Sequence, residues 1–69
     1  MRLFHQSKDE NICYEIYDDG DIGFYVLRNE NGTNTHDYLQ DTLELAIECA
    51  FEEFGVPVDQ WTVVEDDQE

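Results

Sequence analysis

Between Asp41 and Phe54 the apolar residues Leu43, Ala46, Ile47, Ala50, Phe51 and Phe54 recur at steps of three and four, the spacing that puts side chains on one face of an α-helix. Asp41 three residues ahead of Glu44 fits a capping box, and both charges suit the positive end of the helix dipole. Gly55 can take the left-handed conformation that ends a helix, and Pro57 forbids its continuation. A single helix with one apolar face has to lay that face on something else. In a chain of 69 residues there is room for one small core, burying about 60% of the surface the unfolded chain exposes.

The partner of that face is a sheet. Ile12 to Tyr17 and Ile22 to Arg28 are rich in β-branched and aromatic residues and flank Asp18, Asp19, Gly20 and Asp21, a hairpin pattern. With Asp19 and Gly20 as a two-residue turn, Tyr17 would oppose Ile22, Glu15 would oppose Phe24 and Cys13 would oppose Val26 on one face; Ile16–Gly23, Tyr14–Tyr25 and Ile12–Leu27 would pair on the other. Asn31 and Gly32 centre a second turn, and Thr35 to Gln40 follow as a third antiparallel strand, in preference to a helix begun at Asp37. Leu3 and Phe4 suggest another β segment near the start, as Val58, Trp61, Val63 and Val64 do near the end. The expected architecture is α+β: a small antiparallel meander of three or more strands with one amphipathic helix packed on one face. It forms one domain over residues 1–64, followed by a flexible acidic tail over 65–69. The helix should bring Leu43, Ile47, Ala50, Phe51 and Phe54 onto Tyr14, Ile16, Tyr25 and Leu27, or onto the alternate sheet face.

Asp41, Thr42, Leu43, Glu44, Ala46 and Ala50, followed by Glu52, Glu53, Phe54, Gly55, Val56 and Trp61, resemble the ending of small uncharacterised bacterial proteins with a strand, a helix, Phe-Gly-Val or Phe-Gly-Ile, and a Trp. The resemblance covers the C-terminal third. It implies a helix, a glycine stop and an aromatic that folds back over the core, and it implies no activity.

Eighteen Asp and Glu stand against three Lys and Arg, a formal charge of −15, while hydrophobic residues make up 41% of the chain. The apolar content separates the chain from disordered acidic tails. The charge repels phosphate backbones and anionic lipid and attracts basic proteins, so direct nucleic-acid and membrane binding are not expected. No apolar run approaches the roughly 18 residues of a span, and Met1 to His5 do not make a signal peptide; a cytoplasmic protein is the simplest expectation. Cys13 and Cys49 then read as small buried hydrophobes.

Chemical motifs are weak. Asp18, Asp19 and Asp21 around Gly20 resemble half a calcium loop, without the alternate acids and closing Glu of a full one. His5 and His36 lack the paired spacing of a zinc site. No Ser, Cys or Lys stands in a nucleophile's context. Asn31-Gly32-Thr33 is a glycosylation sequon, relevant only in a secreted protein. No catalytic residue, metal ligand or cofactor is expected, and the chain is read as a non-enzyme.

The outer helix face is the candidate partner-binding surface. At 100° per residue Asp41, Glu44, Glu48 and Glu52 form one stripe with no Lys or Arg at i+4, and Leu45 lies beside it. The leading expectation is an acidic interaction protein that docks on a basic protein surface, with immunity proteins and inhibitors of nucleic-acid enzymes as the natural class. Strict nucleic-acid mimicry fits poorly, because acids on the stripe rise by about 6 Å per step and phosphates on one strand by about 3.4 Å. The alternative is a generic small domain whose acidity serves solubility or a high-salt environment. Because one helix covers one face of a sheet, either Leu3, Phe4, Trp61, Val63 and Val64 cover the second face or another chain does; a homodimer is thus a further expectation, with Tyr17, Phe24 and Trp61 as the exposed aromatic patch.

Overall fold

The computed structural model describes residues 2–64. The elements run β1 (Arg2–Gln6), β2 (Ile12–Asp18), β3 (Phe24–Glu30), β4 (Thr33–Gln40), α1 (Leu43–Phe54) and β5 (Thr62–Val64). The strands form one five-stranded sheet in the order β4-β3-β2-β1-β5, antiparallel at every pairing. The helix lies across β3, β4 and β2 on one face. The α+β architecture read from the sequence is the one observed. The tail over 65–69 falls outside the described residues.

The β2–β3 hairpin has a different register from the expected one. Tyr17 opposes Tyr25, Ile16 opposes Val26 and Ile12 opposes Glu30, a shift of three residues. The connection is a wide loop rather than a two-residue turn. Asp18 Oδ1 accepts from the Gly20 N–H at 2.8 Å and the Asp19 N–H donates to the Gly23 carbonyl at 2.8 Å. Because side chains alternate along a strand, an odd shift moves the whole of β3 to the opposite face relative to β2. Val26 thereby joins Ile16 in the core, and the two are the largest fully buried side chains. Tyr25 and Leu27, expected under the helix, turn to the other face. The second turn does close with two residues: Asn31 and Gly32 have φ of 56° and 81° between the paired Glu30 and Thr33, the geometry that matches strand twist and suits Asn-Gly.

The helix starts one position later than the Asp41 cap predicts. Thr42 is the N-cap, in extended conformation, with its Oγ1 accepting from the Leu45 N–H at 3.1 Å. Gly55 closes the other end at φ 75°, its N–H donating to Phe51 O at 2.9 Å while the Val56 N–H reaches Ala50 O. Ala46 and Ala50 are wholly buried; these small side chains let the helix axis come close to the sheet. Leu43, Ile47, Cys49 and Phe54 pack around them. Phe51 does not: it is 53% exposed, because it lies about 120° round the helix from the midpoint of Ala46 and Ala50, which face the sheet.

The chain after α1 finishes the core. Val56 is buried and Trp61 packs against the same cluster, its ring 6.0 Å from that of His5. Leu3 is buried on the helix side, paired with Ile16. β1 and β5 widen the sheet instead of folding over its second face, so that face remains uncovered among the described residues.

Candidate functional site

Thr42 fixes the phase of α1, and Ala46 and Ala50 fix which side meets the sheet. The opposite side is then determined by the 3.6-residue repeat. Glu44, Glu48 and Glu52 are exposed along it, and Asp41 is exposed just ahead of the N-cap. Leu45, 43% exposed, borders one side of the acids, and Phe51 borders the other. The structure therefore brings together all the stripe residues expected from sequence and adds Phe51, which its helical spacing had assigned to the core. At 100° per residue Phe51 lies about 120° from the midpoint of Ala46 and Ala50, so the signal lay in centring the buried face on the two alanines rather than on the large apolar residues.

No cation pairs with the stripe among the described residues. Among the described residues the one ion pair is Arg28 Nη1 to Glu30 Oε1 at 3.2 Å, on the sheet. Glu53, next to the stripe, is turned inward enough to accept from the Tyr38 hydroxyl at 3.4 Å. Burial pushes the Tyr38 hydroxyl above its ordinary pKa, and the Glu53 carboxylate adds to the shift. Burial likewise raises the Cys49 thiol, helped by Glu53 and Glu52 and opposed by a hydrogen bond with Gln40.

The other candidates have structural work at hand. The Asp18 carboxylate closes its own turn, and among the described residues no group of three His, Cys, Asp or Glu side chains is placed to hold a metal ion. His5 stacks on Tyr14 at 6.1 Å and donates from Nδ1 to Gln60 O at 2.8 Å. His36 lies edge-on to Phe54 at 5.7 Å. Cys13 and Cys49 are both free thiols, with the sheet between them. A shallow cleft of about 380 Å³ opens between His5, Lys8, Tyr14, Phe54 and Pro57, and no carboxylate lines it. Among the described residues no helix is long and apolar enough to cross a membrane.

The aromatic patch expected at Tyr17, Phe24 and Trp61 is differently composed. Phe24 and Trp61 pack toward the core. The uncovered sheet face instead carries three rows: Val64, Arg2, Tyr17, Tyr25 and Leu39, then Thr62, Phe4, Glu15, Leu27 and Asp37, then Gln6, Cys13, Asn29 and Asn34. The Tyr17 and Tyr25 rings lie 5.9 Å apart on it.

Comparison with protein-family models finds no match, and neither curated proteins nor solved structures yield one.

Proposed function

We propose that this chain is a non-enzymatic interaction protein whose acidic helix face docks on a basic surface of another protein. The observation that carries the reading is the unpaired stripe of Glu44, Glu48 and Glu52, preceded by Asp41 and flanked by exposed Leu45 and Phe51. Carboxylates without internal partners are free to meet Lys and Arg, and apolar groups beside them add contact area that is not weakened by salt. Clefts built to bind phosphate present such basic surfaces, so an immunity protein or an inhibitor of a nucleic-acid enzyme is the class favoured. Direct binding to DNA or RNA does not belong to this reading, since a net charge of −15 opposes it.

A second reading, acidity as an adaptation to high salt, is favoured by the exposed acids away from the helix, at Asp9, Glu10, Asp18 and Asp21. Partner capture from a native lysate at low and high salt, followed by association kinetics with the captured protein, separates the two. Glu44/Glu48/Glu52→Gln should lower the association rate and its salt dependence more than truncation after Glu65 does, because charge at the contact steers encounter and charge beyond about 8–10 Å is screened. Equal losses, or a captured partner without a Lys- and Arg-rich surface, would sink the docking reading and leave the environmental one.

A further inference from the structure

The acids of this protein are not spread evenly over its surface. Of all those in residues 2–64, only Glu15 and Asp37 sit on the uncovered sheet face, and Arg2, one of the chain's three cations, sits there with them. The face thus has a formal charge of −1, against −11 for residues 2–64, where 14 Asp and Glu stand against three Lys and Arg. Its other positions include Phe4, Tyr17, Tyr25, Leu27 and Leu39, of which Tyr17 and Leu39 are 40% and 46% exposed.

From this sorting of charge we infer that the open sheet face is a homodimer interface, on which a second copy of the chain packs sheet to sheet with the helices outward. A basic partner would gain little from a broad surface that carries a single net negative charge among the described residues, whereas a second copy needs an apolar, nearly neutral one. A two-fold axis running along the strands between β2 and β3 sets β1 of each copy over β4 of the other. In that arrangement Arg2 lies over Leu39 of the other copy, Tyr17 over Tyr25 and Phe4 over Asp37, and the same patch serves both copies, as an isologous contact requires. The size also fits. An interface of roughly 800 Å² per copy is standard for a stable pair, and that is about one sixth of the 4633 Å² accessible surface, within reach of one broad face of a body measuring 31 × 29 × 22 Å. Stacked sheets lie about 10 Å apart, so the acidic helix faces end up on opposite outer surfaces of the pair.

This inference does not depend on the docking reading, and salt acts on the two in opposite directions. Screening relieves repulsion between two anionic copies and strengthens an apolar pair, while it weakens attachment to a basic protein.

The test is sedimentation equilibrium of the full chain at about 0.05 M and about 1 M salt, where the screening length falls to about 3 Å. The expected mass is twice the 8.1 kDa of one chain, with the dimer fraction rising with salt. Leu39→Glu and Tyr17→Glu each replace a side chain already exposed in the single chain, and each should return the mass to that of a monomer while the far-ultraviolet circular dichroism stays native. Glu44/Glu48/Glu52→Gln should leave the dimer intact. A monomer at both salt concentrations would overturn the inference. So would a dimer that weakens with salt, or one that survives both face variants. Should one variant unfold, the other decides. A monomer whose Tyr17 and Tyr25 fluorescence responds to a Lys- and Leu-rich amphipathic peptide would assign the face to a basic partner instead.

Discussion

The ring of Phe54 lies 5.2 Å from that of Tyr14, centroid to centroid and tilted by 31°, which ties the last turn of the helix to the central strand β2. The same ring meets Tyr38 at 5.9 Å and His36 at 5.7 Å, so one helix residue joins β2 and β4. Such aromatic contacts add about 0.5–1.5 kcal/mol each beyond the area they bury.

Phe54→Ala should therefore cost about 3–5 kcal/mol, a large share of the stability of so small a domain. Phe51→Ala, at the exposed position, should change stability by only about 0.5 kcal/mol. Urea midpoints of the two variants check this, and similar losses from both would mean that the helix is rotated from the position described.

Gly23 and Gly20 should respond differently to alanine. At Gly23, with φ 142°, a Cβ would lie 2.4 Å from the backbone oxygen of Gln40, in the paired strand β4, where neither group can yield without breaking the ladder. At Gly20, with φ 66°, a Cβ would meet nothing within 4 Å, and the loss is the left-handed penalty of about 1–2 kcal/mol. Gly23→Ala should lose more than Gly20→Ala in thermal midpoint. The reverse order would show that the β3–β4 edge relaxes freely.

The parts legible in the sequence were those fixed by short-range chemistry. The Asn31-Gly32 turn needs only two residues at positive φ, and Gly55 with Pro57 stops the helix by local geometry. The β2–β3 register was not legible, because Asp19-Gly20 offers a plausible tight turn and both strands are apolar on both faces, so alternation cannot select a register. What selects it is tertiary: Leu3, Ile16, Val26 and Tyr38 line up across four strands beneath the helix. Phe51 failed for a related reason, since the rotation of the helix about its axis is set by seating Ala46 and Ala50 on the sheet, which the spacing of the large apolar residues does not reveal. The acidic stripe was legible because exposure of Glu44, Glu48 and Glu52 follows directly from the helical period.

That stripe should be destabilising in isolation. Glu44 and Glu48, and Glu48 and Glu52, are like-charged pairs at i,i+4, each costing about 0.2–0.5 kcal/mol. The Glu44/Glu48/Glu52→Gln variant should melt higher than the parent at low salt, with the gap narrowing as salt is added. A lower midpoint at low salt would mean that the stripe carries a stabilising contact within the protein.

The last prediction concerns alkaline pH. Burial and the neighbouring Glu53 carboxylate raise the pKa of Tyr38, and burial, with Glu53 and Glu52 adding to it, raises that of Cys49. For each group the folded state holds its proton to higher pH than the unfolded state does. The unfolded chain therefore binds fewer protons once pH passes the ordinary values of about 8.5 for a thiol and about 10 for a phenol, and stability falls with rising pH from there. The loss levels off once pH exceeds the raised values of the folded state, and below the ordinary values neither group contributes any slope. Tyr38→Phe should remove the tyrosine part of the decline, and the parent-minus-variant ultraviolet difference titration should place Tyr38 ionisation above the ordinary phenol range. A parent and a Tyr38→Phe variant with the same stability profile between pH 9 and 11 would show that the hydroxyl is not held against Glu53.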